Sequence, residues 1–217
     1  MSDPYTEDKR RILEAALIEA DFGGWQLETL RAAADKAGIA RDRQRLAFPR
    51  GVLDLIELYS DTADAVMADG LKAHDLAALK VRERVKLAVR LRIEALAAHK
   101  PAARAALHHL ASPLFAAEGM KLLYRTVDTI WREIGDTSTD FNFYSKRALL
   151  AGVYASTLWT WTEDMSGDCA KTWAFLDRRI ENVMGIEKAK AKLRGALSKL
   201  PDPLKVLSAL RYPDRGA

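Results

Sequence analysis

Of the 217 residues 49% are hydrophobic, and 34 Lys and Arg stand against 30 Asp and Glu for a net charge of +4. A chain of this length and apolar share can bury a real core, which excludes general disorder. The single cysteine, Cys169, excludes an intrachain disulfide and a cysteine-based zinc site, and with Asp168 beside it opposing a thiolate it reads as a small apolar filler.

Helical periodicity dominates, and alternating strand patterns are absent. Ile12, Leu13, Ala16, Leu17 and Ala20 form one apolar stripe that stops at Phe22-Gly23-Gly24. A second helix is predicted over 27–37, ended by Gly38, and a short third one over 41–47. Pro49 is expected to open a long fourth helix through Val52, Leu55, Ile56, Tyr59, Ala63, Val66 and Met67. Further helices are predicted at 81–98, 102–110, 113–134, 139–163 and 169–184, with breaks at Lys100-Pro101, Ser112-Pro113, Gly135-Asp136 and Met165-Ser166-Gly167. The expected class is all-α.

The opening MSDPYTED has acid before base and no apolar run, unlike a secretory or transit segment. The longest nearly apolar stretch, 149–161, is well short of the roughly 20 residues of a spanning helix. The expected location is therefore the cytoplasm.

Charge is unevenly placed. From Lys188 onward there are eight bases and two acids, so this tail carries +6 and the rest −2. Within it Leu193, Leu197, Leu200, Leu204, Leu207 and Leu210 recur at helical spacing, with Lys192, Lys199 and other bases on the remaining faces. That is the pattern of a helix lying in an anionic membrane interface, so Leu193, Leu197, Leu200, Leu204, Lys192 and Lys199 are candidate membrane contacts. Pro201-Asp202-Pro203 interrupts the stripe. The alternative is a basic helix packed on the protein itself or on a second copy.

Residues 30–55 read as helix, tight turn at Ala37-Gly38-Ile39, short helix, then Phe48-Pro49 into a long helix. This resembles the DNA-binding end of TetR-type regulators, with Gly38 as turn residue and Ile39 as apolar plug. Arg41, Arg43 and Arg45 on the short helix would be the groups to reach phosphates or guanine edges. Against that, Ala40 offers no N-cap side chain, and Arg45 and Ala47 stand where aromatic residues are usual. The alternative for the arginines is a solvated basic face.

Over 141–161, Phe141, Phe143, Tyr144, Leu149, Leu150, Val153, Tyr154, Leu158, Trp159 and Trp161 cover almost every side of one helix. Such a helix needs covering on more than one side, by the core and by a pocket, a second copy or another protein. Thr137, Ser138 and Thr139 are its candidate caps.

The strings STDFNFYSKRALLAGVY and TWAFLDRRIENVM, with Gly24-Trp25, Ala37-Gly38-Ile39 and Phe48-Pro49-Arg50-Gly51, make the chain similar to the family of the ninth coenzyme Q biosynthesis protein. That family is a TetR-fold accessory group in ubiquinone synthesis. The resemblance implies an apolar cavity for isoprenoid or other lipids, a homodimer, and support of the di-iron hydroxylase that acts on demethoxy-ubiquinone. It implies that Phe143, where relatives often carry Trp, and Tyr144 meet the hydroxylase, and that Arg147 contacts phospholipid. Phe143 could equally be core, and Arg147 could pair with Asp140 or Asp177. With Arg147, the expected lipid-binding set is Trp131, Leu150 and Tyr154.

The four histidines have no carboxylate three residues before them, so the Glu-x-x-His pattern of di-iron bundles is missing. Adjacent His108 and His109 would point to different helix faces. Phosphate loops and nucleophile elbows are absent too. The chain is expected to be a non-catalytic lipid-binding accessory protein without cofactor or metal, peripheral on the inner face of the membrane. It would have three parts: a helix-turn-helix-like 1–50, a lipid-binding and dimerising 51–186, and the tail 187–217. The alternative is a TetR-type ligand-responsive regulator.

Overall fold

A computed structural model of the chain describes residues 3–137 and 141–197, with side chains for 3–137 and 143–185. Among the described residues every regular element is helical: α1 (Thr6–Gly23), α2 (Leu27–Lys36), α3 (Arg41–Ala47), α4 (Val52–Lys72), α5 (Val81–Glu94), α6 (Lys100–Ala111), α7 (Ala116–Glu133), α8 (Phe141–Glu163) and α9 (Ala170–Leu197). Short 3-10 turns at Leu76–Ala78 and Ala97–His99 link α4 to α5 and α5 to α6. The all-α expectation holds.

The residues through Asp177 form one compact body, and the chain from Arg178 a second unit, helical to Leu197 in its described part. Among the described residues no helix is long and apolar enough to cross a membrane.

In the first body α1 packs on α2 and α6, α4 on α5 and α7, and α8 on α7 and α6. Of the predicted α1 stripe Ile12, Leu13, Ala16 and Ala20 are buried, and Leu17 is half-buried at its edge. Two side chains fix α1 to α6. Asp21 Oδ1 accepts from the Ala102 amide at 3.1 Å, which satisfies an orphan donor of the first turn of α6, and the Trp25 indole donates to the Ala102 carbonyl at 2.8 Å.

The turn after α2 is a Schellman motif. Gly38 has φ +66°, its amide donates to the Asp35 carbonyl, and the Ile39 amide donates to the Ala34 carbonyl at 2.9 Å. Ile39 is buried, as the plug reading predicts. Ala40 begins α3 without any side-chain cap.

Several boundaries differ from expectation, each for a local reason. Pro49 does not open α4. It sits inside a turn closed by the Gly51 amide on the Phe48 carbonyl at 2.9 Å, and α4 starts at Val52 after Gly51 with φ +66°. Ser112-Pro113 makes the same kind of turn, with Phe115 donating to Ser112 at 3.0 Å, so α7 begins at Ala116 instead of 113. The α5 helix ends at Glu94 and yields to the 3-10 turn ahead of Pro101. Conversely, α9 runs to Leu197, thirteen residues past its expected end at 184 and across the expected seam at 186.

The helix α8 buries one stripe, Arg147, Leu150, Val153, Tyr154, Thr157 and Trp161, while Tyr144 and Trp159 remain 65% and 45% exposed. Of its expected caps, Ser138 and Thr139 lie outside the described residues, as does the Phe141 side chain.

Candidate functional site

A partly open cavity of about 300 Å³ lies between α4, α5, α6, α7 and α8. Small residues create it. Ala103, Ala106 and Ala111 of α6 and Ala116 of α7 leave space where larger side chains would fill the core. Gly119 of α7 brings the two helices together: a Cβ there would lie 2.8 Å from the Leu110 carbonyl oxygen and 3.2 Å from its Cβ. The walls are mainly apolar, with Ile56, Leu96, Leu107, Leu122 and Leu158 among them. Met120 lines the cavity and is also 61% exposed, which marks the mouth. Nearby in sequence, Leu114 is exposed, His109 stacks on Phe115 and His108 meets the edge of Trp159. Loss of hydration pulls the His109 pKa down, so it stays neutral at pH 7.

One end of the cavity is polar. Arg92 donates from Nε to Asp64 Oδ1 at 2.5 Å and from Nη2 to the Ser60 carbonyl and hydroxyl at 3.0 Å each. Thr126 donates to the other Asp64 oxygen at 3.1 Å. Both members of the ion pair are buried. Burial raises the pKa of the Tyr154 hydroxyl, with the Arg92 charge opposing, and burial likewise raises that of Tyr59. Both phenols therefore remain protonated donors.

Of the four expected lipid contacts, Tyr154 lines this cavity and Leu150 is buried on the same α8 stripe. Arg147 and Trp131 lie elsewhere, in a cluster at the α7–α8 connection. A second Schellman turn builds it: Gly135 has φ +85°, its amide donates to the Arg132 carbonyl, and the Asp136 amide donates to the Trp131 carbonyl at 2.9 Å. Asp136 then accepts from Lys146 at 2.7 Å and from Arg147 Nη1 at 3.4 Å. Arg147 is 3% exposed, donates to Asp128 Oδ1 at 2.7 Å, and stacks its guanidinium 3.4 Å from the Phe143 ring centroid. Of the partners foreseen for Arg147, Asp177 pairs instead with Lys86 at 2.7 Å, and Asp140 lies outside the described residues. The Trp131 indole nitrogen is buried without a hydrogen-bond partner among the described residues.

Phe143 is half-buried and Tyr144 exposed, their rings edge to face at 5.1 Å. The tail candidates Leu193, Leu197, Leu200, Leu204, Lys192 and Lys199 lie outside the described residues, apart from the helical backbone that α9 carries to Leu197. Cys169 has φ +54°, a left-handed conformation in the turn before α9. Among the described residues no group of three His, Cys, Asp or Glu is placed to hold a metal.

The α3 arginines are partly tied down. Arg41 pairs with Asp35 at 2.7 Å, and Arg43 pairs with Asp8 of α1 at 2.5 Å with Tyr5 against its guanidinium. All three are exposed, as a solvated basic face requires, and Arg45 is the most open, its contact with Asp42 being 4.0 Å long.

The COQ9 family model matches residues 116–187, from α7 into α9. The chain is also 30% identical over 184 residues to the ubiquinone biosynthesis protein COQ9, mitochondrial, of Rattus norvegicus, an alignment covering 82% of this chain and 59% of that protein. The chain is homologous to the COQ9 proteins. Identity to COQ9-B, mitochondrial, of Xenopus laevis is 32% over 183 residues, covering 81% and 62% of the two chains. For the probable coq9 protein, mitochondrial, of Dictyostelium discoideum it is 28% over 190 residues, covering 85% and 62%. The chain thus spans about six tenths of the length of these COQ9 relatives. Among solved structures, the TetR transcriptional regulator from Nitrosomonas europaea ATCC 19718 superposes with a TM-score of 0.65 at 21% identity, over 81% of this chain and 97% of that one. That likeness establishes the TetR-like fold and nothing further. The COQ9-matched segment contains Phe143, Tyr144, Arg147, Leu150, Tyr154 and Gly119.

The site residues that sequence reasoning missed are Arg92 and Asp64. Both occupy buried positions in otherwise apolar stripes, Val85, Ala88, Val89, Arg92, Leu96 on one chain segment and Ile56, Tyr59, Ala63, Asp64, Met67 on the other. A charge inside a helical core stripe was the available signal.

Proposed function

We propose that this chain is a non-catalytic, lipid-binding accessory protein of ubiquinone biosynthesis. It binds a polyprenylated quinone intermediate in the α4–α8 cavity and presents it to the demethoxy-ubiquinone hydroxylase at a membrane surface. The observation that carries the reading is the apolar cavity opened by small residues of α6 and α7, in a chain whose relatives are named for ubiquinone biosynthesis. Burial of isoprenoid carbon drives binding, at about 0.8 kcal/mol per methylene-sized unit. Residues 51–186 serve binding and dimerisation, the basic tail 187–217 attaches the protein peripherally on the cytoplasmic side, and Phe143 with exposed Tyr144 forms the docking point for the enzyme.

Native mass spectrometry of gently purified protein is expected to show a bound isoprenoid or phospholipid, and light scattering a dimer. Loss of the protein is expected to make demethoxy-ubiquinone accumulate. Repeated recovery without lipid, together with no affinity for prenylated quinones, would sink the proposal. The regulator reading has less support, because two of the three candidate base-reading arginines are held by Asp35 and Asp8 and α3 starts without a side-chain cap.

A further inference from the structure

We infer that Arg92 anchors the ligand by donating a hydrogen bond to a neutral oxygen acceptor, a carbonyl of the quinone type, at the polar end of the cavity. The inference rests on the lipid-binding reading of the same cavity. A guanidinium carries five N–H donors and no acceptor. In Arg92, Nε is committed to Asp64 and Nη2 to Ser60, whereas Nη1 is buried with no hydrogen-bond partner among the described residues. The side chain is 3% exposed and forms part of the cavity wall. A buried donor without an acceptor carries an uncompensated desolvation cost, and an oxygen arriving through the cavity removes it.

The surroundings determine which oxygen fits. Asp64 already neutralises Arg92 and is itself fixed by Thr126, so the fork is held in place with one nitrogen to spare. A carboxylate or phosphate entering here would shed its hydration beside the Asp64 carboxylate with no uncompensated cation to receive it. A neutral carbonyl needs only a donor. Tyr154 lines the same cavity close enough to feel both the Arg92 and Asp64 charges and supplies a second phenolic donor. The volume, about 300 Å³, is at the lower limit for ligand sites. It suits a ring and the first isoprene units, with the remaining chain leaving past Met120.

The test compares three ligands of matched size on the full chain: 2-farnesyl-1,4-benzoquinone, farnesylbenzene, which lacks the acceptor, and 4-farnesylbenzoate, which is an anion. Displacement of a fluorescent lipid is expected to rank the quinone roughly ten- to a hundredfold tighter than farnesylbenzene, the range of one hydrogen bond to a charged donor, with the benzoate weaker than the quinone. Arg92→Lys retains the charge opposite Asp64 but lacks the second fork nitrogen, and is expected to bring the quinone within about threefold of farnesylbenzene by the same hydrogen-bond reasoning. The wild-type ligand series does not depend on that variant folding. Equal affinity for quinone and farnesylbenzene, or tightest binding of the benzoate, overturns the anchor and leaves the apolar cavity intact. Failure of all three to bind overturns the lipid-binding reading and the anchor together.

Discussion

Asp64→Ala is the most informative single perturbation of the core. It removes the acceptor of Arg92 Nε at 2.5 Å and of Thr126 at 3.1 Å, leaving a guanidinium 3% exposed with no carboxylate against it. Truncating one partner of a buried pair costs about 3–5 kcal/mol because the other charge remains uncompensated. For a chain of this size that is a fall in Tm of about 10 °C. Replacing both partners by apolar residues, Asp64→Leu with Arg92→Met, is expected to leave stability within about 1 kcal/mol of the parent or above it, so the double-mutant cycle has a coupling of several kcal/mol. Urea unfolding followed by tryptophan fluorescence gives both numbers, with an unchanged m-value certifying the comparison. A loss below about 1 kcal/mol for Asp64→Ala would mean that water screens the pair, and the description of both partners as buried would be wrong.

Gly119→Ala places a Cβ against backbone, 2.8 Å from the Leu110 oxygen. Separation of α6 and α7 is expected to cost about 1–3 kcal/mol, and an unchanged urea midpoint would refute the close approach. Cys169→Gly relieves the left-handed φ of +54°. Glycine's greater unfolded-state entropy offsets part of the gain, so stability is expected to rise by up to about 1 kcal/mol, and a clear loss would assign the thiol a packing role.

Asp164 accepts from the Ser166 hydroxyl and amide and from the Thr172 hydroxyl and amide, closing the α8–α9 turn. These bonds, led by the Ser166 hydroxyl, lower its pKa from the usual 3.8. A depressed folded pKa gives stability that is complete above the unfolded value and fades as the pH falls below it. Asp164→Asn is accordingly expected to cost about 1 kcal/mol, the size of a lost cap, at pH 7. The gap from the parent closes below about pH 4, where the unfolded carboxylate takes up its proton, and a gap that persists undiminished to pH 2 would contradict the assignment.

The helix-turn-helix end is readable from the sequence because its signals are local. Gly38 needs a left-handed φ and Ile39 an apolar socket, and both follow from neighbours in the chain. The helix termini near Pro49 and Pro113 are misplaced because proline marks either the first turn of a helix or the second position of a β-turn, and only the closing bond from Gly51 or Phe115 distinguishes them. The cavity is less legible. Its space is made by alanines of α6 facing Gly119 of α7, a tertiary coincidence of small side chains that no single helix reveals. Arg92 is lost among the other bases of a charge-rich helix unless its place in the buried stripe is noticed. In the same way Arg147 draws attention through its family motif, while its partners Asp128 and Asp136 come from a different helix and a turn.

The ion pairs on α3 have a consequence for how the protein would respond to salt. Each phosphate neutralised by a side chain releases condensed counterions and adds about 0.9 to the slope of log affinity against log salt. Arg41 and Arg43 already have carboxylate partners, so engaging a phosphate would first break an existing pair. Arg45, with its long and fully solvated contact to Asp42, exchanges it for a phosphate at the least cost. Helix α3 then contributes a slope between about one and about three, set by how many of these pairs yield to phosphate. A measured slope near one on non-specific DNA would mean that the Asp8 and Asp35 pairs hold against phosphate, and a slope near three that they give way.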